Sequence, residues 1–228
     1  MWTQTESLPD SQRIQKLNDY LEEILIIACF DGARRTVIDA LDSIEDYMLF
    51  CYSMDEPVKQ ASPLDIRLNT VENMIRSIEH TNDLMTQGEV SARIANQILE
   101  KIDVSRVVNA PIKGETFKDR IEKRVTEKTL TPDTLRVIAE TETHRCEETC
   151  AFETAEDISD TTHRDAYKVW NTMDDDKVRA THDYIDQNIA LMDDVFTTFD
   201  GDYALYPGGF TKPENNVNCR CWVTFRWF

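Results

Sequence analysis

Ile14, Leu17, Leu21, Ile24 and Ala28 step by three and four positions, which lays one apolar stripe along a helix. Asp10 or Ser11 caps its start, just after Pro9. Asp31-Gly32 punctuates the pattern, and Val37, Leu41, Ile44 and Met48 resume it. Residues 8 to 53 therefore read as two antiparallel helices joined by a short turn. "SMDEPVKQASP" reads as a loop, and Ser62-Pro63 opens a third helix whose stripe is Leu64, Leu68, Val71, Ile75 and Ile78. Gly88 breaks the pattern, and a fourth helix carries Val90, Ile94, Ile98 and Ile102. Residues 103 to 116, with Pro111 and Gly114, read as a connector; a charged helix follows at about 117 to 129. Thr131-Pro132-Asp133 then caps a long helix reaching about Asp157.

The pattern changes after Trp170. Three of the six glycines lie beyond residue 200, and aromatic residues crowd together. A short helix is expected from about Asp175 to Ile185, then irregular strands with a turn at "YPGG". In the last segment Cys219, Cys221, Val223, Phe225 and Trp227 alternate with Arg220, Trp222, Thr224 and Arg226. That period of two predicts a strand with the cysteines on its core face. The expected fold is mainly α with a small C-terminal α+β lobe at 166–228, preceded by an N-terminal helical hairpin and further helices.

Composition narrows the function. The 228 residues suffice for a real core. No run of eighteen apolar residues exists, so no membrane partner is expected. The first residues lack the basic start and apolar middle of a signal peptide, which predicts an intracellular protein with mostly reduced cysteines. A formal net charge of −18 repels phosphate backbones, and the short basic clusters Lys118-Asp119-Arg120 and Lys123-Arg124 are diluted by acids. Direct nonspecific DNA binding is therefore not expected.

Candidate chemistry centres on few residues. Cys219 and Cys221 with His182, plus one of His144, Cys146 or Cys150, could supply four zinc ligands, but the spacings C-x-C and C-x-x-x-C are not the C-x-x-C of a knuckle. The plain alternative is buried thiols filling a core. A disulfide between Cys219 and Cys221 has poor bridging geometry along a strand. Asp174-Asp175-Asp176 could bind a divalent cation, or cap a helix and favour its positive end, the better reading. No Gly-x-Ser-x-Gly, His-Glu-x-x-His or Gly-rich phosphate loop is present, so no enzymatic activity, catalytic residue or cofactor is expected. Two alternatives stay open: a zinc-stabilised adaptor, and a toxin or hydrolase using His182 with Cys219 and Cys221. Glu140, Glu142 and Arg145 sit together in "AETETHR". An exposed Glu142–Arg145 pair would contribute a few tenths of a kcal/mol, whereas a buried one would fix a single docking geometry.

The ordered string "VWNTMDDDKVRATHDYID", "YPGG" and "VNCRC" resembles the phage head morphogenesis domain, the domain of the Mu F-like minor head proteins of tailed phages. The matching positions are Trp170, Asp176, Arg179, His182, Asp186, Phe196, Tyr206, Pro207, Gly208, Asn218, Cys219, Arg220 and Cys221, with the Thr-Glu pair Thr141 and Glu142 upstream. "MTQGEVSARIANQIL" is similar to the family's Gly-initiated helix. Order and spacing agree over about residues 80 to 226. The family often has Leu-Asp-Gly after the histidine, where this chain has Ile185-Asp186-Gln187, so the local backbone is expected to differ. Some members carry an extra C-x-x-C before the histidine region, absent here.

The resemblance implies a structural protein of the virion head, assembled in the host cytoplasm. It implies association with the portal protein and other head proteins, in multiple copies around the portal, and assistance to head assembly and DNA packaging or ejection. On that basis residues 61–228 form the morphogenesis domain, and residues 1–60 are the candidate region for docking a partner. Asn218 and Arg220 are expected to hydrogen-bond the histidine-bearing helix and the "YPGG" turn, clamping the small lobe.

Overall fold

A computed structural model describes residues 2–53, 87–112 and 114–227. The expected third helix, from Ser62 through Ile78, and the loop after Ser53 lie outside the described residues. A one-turn helix α1 (Trp2–Thr5) precedes α2 (Asp10–Ser53), a single helix of 44 residues. The expected hairpin at 8–53 is thus corrected: the chain does not turn at Asp31-Gly32. Burial continues in helical step straight through that point, at Leu21, Leu25, Ala28, Ala33, Val37 and Ala40. Gly32 marks a contact, because a Cβ there would lie 2.0 Å from the carbonyl oxygen of Glu147. A helical glycine costs about 1 kcal/mol in propensity, and here it lets two helix backbones meet.

The partner in that contact is α6 (Pro132–Thr162). As expected, Thr131 caps it, accepting from the Thr134 N–H at 3.2 Å, and Pro132 fills the first turn. It runs past Asp157 to Thr162, where His163 closes it in a left-handed conformation (φ 55°). Between these long helices lie α3 (Gln87–Leu99), α4 (Val104–Val108) and α5 (Phe117–Thr126). Gly88 sits inside the first turn of α3 rather than ahead of it. The short α4, capped by Asp103, occupies the stretch read as a connector. α5 begins in a capping box of Thr116 and Asp119. Leu17, Leu21, Leu25 and Cys29 of α2 meet Val107, Phe117, Ile121, Cys146 and Cys150 in the first core.

The lobe is a small antiparallel sheet in the order β2–β1–β5, from β1 (Ala166–Asn171), β2 (Ile189–Leu191) and β5 (Trp222–Trp227). A hairpin of β3 (Phe196–Thr197) and β4 (Tyr203–Ala204) lies beside it. The predicted alternation holds: Cys219, Cys221, Val223, Phe225 and Trp227 are all buried. They pack with Trp170, Phe196 and Phe210 against Ala151, Phe152 and Ala155 of α6, forming the second core. Lys168 shares the inner face of β1. Its Nζ donates to the Met192 carbonyl at 2.6 Å, and burial pulls its pKa down to about 8.

β5 is an edge strand, yet two of its outward N–H groups meet carboxylates. Val223 N–H donates to Glu148 Oε2 (3.2 Å) and Phe225 N–H donates to Asp39 Oδ2 (2.9 Å). Glu148 also pairs with Arg35 at 2.7 Å. One carboxylate from each long helix thus closes the edge that would otherwise template pairing. Burial pushes both carboxyl pKa values up, the arginine and backbone donors opposing it.

Candidate functional site

The motif residues gather where α6, the loop after β1 and the segment leading into β5 converge. The acidic run comes first and corrects an expectation. The helix expected from Asp175 to Ile185 is only a turn, α7 (Ala180–Asp183), whose N-cap is Arg179, so Asp174-Asp175-Asp176 caps nothing. Asp174 is left-handed (φ 49°), and Asp175 accepts from Lys177 N–H at 3.0 Å, so the run forms a turn. Asp175 also takes both guanidinium nitrogens of Arg220, at 2.8 and 2.6 Å. That fork holds the Asp175 carboxyl down to about 2. Arg220 therefore reaches the acidic turn, not α7 or the "YPGG" turn. Asp176 stands exposed beside it.

Arg179 donates to the Val217 carbonyl, and Thr181 Oγ1 meets Asn215 Oδ1 at 3.0 Å, so α7 is tied to the segment before β5. Asn218 contributes through its backbone: its N–H donates to Thr141 Oγ1 (3.2 Å) on α6, and its φ of 54° bends the chain toward Cys219. Its side chain is exposed, which corrects the expected clamp. Asp186 Oδ1 accepts from the Thr172 N–H at 2.8 Å. Gln187 then adopts φ 57°, the conformation that the family's glycine would favour. The expected local departure is therefore one of side chain.

His182 lies at the centre, fully buried with Cys219 and Cys221. Its Nδ1 is 3.3 Å from Cys221 Sγ and 3.6 Å from Cys219 Sγ. The ring stacks on Phe210 (5.2 Å between centroids) and meets the Trp170 ring edge-on (5.7 Å). From α6 the imidazole of His144 faces the Cys219 thiol. Cys219 is held well below the ordinary thiol range by the Cys221 S–H, with His144 and His182 adding to the effect, while Cys221 is pushed up. The described cysteines form no disulfide. The small cavity against this cluster, beside Arg179 and Asn218, holds about 10 Å³, room for one water-sized sphere.

Thr141 and Glu142 lie just before His144 on α6 and are buried. Glu142 Oε2 accepts from Arg145 Nε at 2.9 Å, and Oε1 accepts from Arg120 of α5. Arg145 in turn donates to the carbonyls of Val107 (2.8 Å) and Val108 (3.1 Å) at the end of α4. Of the two readings of this pair, the buried one is observed; Glu140 instead pairs with Arg136 at the surface. Gly208 (φ 86°) lies over Arg145, where an added Cβ would come within 3.2 Å of its Cα. Pro207 is buried beside it, and the Tyr206 ring packs on Phe152 at 5.0 Å. The "YPGG" turn is thus seated on α6.

One polar centre escaped the sequence reading. Asp202, buried, accepts from Tyr203 N–H, Thr211 N–H and Oγ1, Lys212 N–H and Asn215 Nδ2, at 2.6 to 3.1 Å. Desolvation raises its carboxyl pKa, but these donors outweigh it and the net shift is downward. Its contribution to stability is therefore present above the unfolded-state carboxyl pKa and lost as pH falls through the lower folded value. Asp202→Asn turns one acceptor into a donor facing other donors, and is expected to cost about 2 kcal/mol; urea denaturation at neutral pH checks this, and the deficit should shrink in acid.

Residues 79–224, more than half of the chain, match the model of the family described as Phage Mu protein F like protein. No curated protein and no solved structure matches the chain.

Proposed function

The chain belongs to the Phage Mu protein F like family of phage head morphogenesis proteins, and from that premise we propose that it is a minor head protein that works at the portal by binding rather than by chemistry. The observation that carries this reading is how the motif residues are used. Glu142, Arg179, Asp186, Arg220 and Gly208 are each engaged in tying one element to another. His182, Cys219 and Cys221, the groups a hydrolase or toxin would use, are closed beneath Phe210 and Trp170, and the cavity of about 10 Å³ against them is too small for a substrate. Residues 1–60 are the docking region in this reading, and α2 leaves Tyr20, Ile26 and Ile27 exposed there. The described helices hold no segment long and apolar enough to cross a membrane, and the −18 charge suits basic protein surfaces better than DNA.

Affinity-tagged portal protein, expressed with this chain in host cells, is expected to retain it through purification, and purified heads should contain it in far fewer copies than the shell protein. Heads lacking the chain, with portal oligomers that do not retain it, would overturn the proposal.

A further inference from the structure

We infer that His182, Cys219 and Cys221 bind one zinc ion, with His144 as the fourth ligand. The three central donor atoms lie within 4.8 Å of one another and all three residues are buried. For zinc bonds of about 2.3 Å to sulfur and 2.0 to 2.1 Å to nitrogen, a tetrahedral site separates sulfur from nitrogen by about 3.6 Å. The observed Nδ1–Sγ separations are 3.3 and 3.6 Å.

Hydrogen bonding alone accounts poorly for this convergence. A neutral imidazole nitrogen either accepts one S–H or donates one N–H, yet two sulfurs lie within 3.6 Å of the same Nδ1 of His182. A cation between the three atoms gives each of them a partner. The fourth side faces α6, where His144 Nε2 is buried with no hydrogen-bond partner among the described residues; its ring lies outside the 4.8 Å cluster and would turn inward to complete the site. Two thiolates and two imidazoles form a donor set suited to zinc and unsuited to calcium or magnesium. On binding, the two thiols release their protons to solvent and two Zn–S bonds form; nothing is oxidised or reduced.

The C-x-C spacing that argues against a knuckle is met here by another geometry. Both cysteines project from one side of the extended segment entering β5, so their sulfurs need no tight turn to converge. The ion would join α6, α7 and the last strand, three elements distant in sequence, adding to the hydrogen bonds and apolar packing between them. The site is independent of any portal role.

The test is elemental analysis of the full chain purified without chelators, followed by removal of zinc and reloading with cobalt(II). About one zinc per chain is expected, and the cobalt form should show thiolate-to-metal charge transfer with the visible bands of a tetrahedral ion. Cys219→Ser with Cys221→Ser should abolish both signals. Because that variant could unfold, the unmodified protein is also melted with and without zinc, and Tm should rise with the metal. His144→Ala should keep the charge-transfer band while binding cobalt at least about tenfold more weakly; unchanged affinity would overturn the four-residue set. A folded chain that takes up only traces of zinc and gives no cobalt band overturns the site altogether.

Discussion

Glu142→Ala is expected to destabilise the protein by about 3 to 5 kcal/mol, the range for removing one member of a buried ion pair. Glu142 has no exposed surface, and its carboxylate is shared by Arg145 on its own helix and Arg120 on α5. Its removal leaves the buried Arg145 guanidinium with no counter-charge, only the two α4 carbonyls and the Cys146 sulfur as neutral partners. The loss is a large fraction of the roughly 5 to 15 kcal/mol that holds a typical domain together. A shift of the urea midpoint with unchanged slope is the measurement. Combining Glu142→Ala with Arg145→Met should cost much less than the sum of the two single changes, because an apolar side chain needs no counter-charge. A loss below about 1 kcal/mol for Glu142→Ala would mean that the pair behaves as a surface one, worth little in water.

How far the sequence disclosed this arrangement depends on the range of the signal. Local signals were legible: Thr131-Pro132 announced α6, and the alternation from Cys219 to Trp227 gave the buried face of β5. The ordered motif string also named His182, Cys219 and Cys221, whose donor atoms the fold brings within 4.8 Å of one another. What it left open was the partner of each polar group. Arg220 turned to Asp175, forty-five residues away, and Asn218 used its backbone rather than its side chain. Asp39 and Glu148 carry no local mark of their task, since the edge N–H groups they receive belong to a strand that folds back from the far end of the chain. Asp202, in "FDGDY", reads as an ordinary turn acid; only the return of residues 211–215 makes it a buried acceptor. His144 was one of three interchangeable candidates because periodicity gives a helix face but not the element that will cover it.

Gly32 is the sharpest instance of that limit, and Gly32→Ala tests whether the glycine is required by the helix crossing. If the glycine were merely tolerated within the helix, alanine would add about 1 kcal/mol of helix propensity. The close crossing with α6 predicts the opposite. The new methyl would lie 2.0 Å from the Glu147 oxygen, 2.9 Å from its carbonyl carbon and 3.2 Å from the Ala151 nitrogen, against an optimal separation of about 3.5 to 4.0 Å between carbon atoms. These are backbone atoms in the middle of α6 and cannot swing aside as a side chain would. The helices must separate instead, which strains the Arg35–Glu148 pair and the Thr36 hydroxyl bond to Ala151 (3.0 Å) on either side of the crossing. Overpacking costs typically 1 to 3 kcal/mol and occasionally more. With an overlap this deep the steric term exceeds the propensity gain, and a net loss of about 3 kcal/mol is expected, read from urea denaturation while circular dichroism checks that the helix content survives. An alanine variant equal to or more stable than the parent would mean that α2 and α6 do not cross at this point.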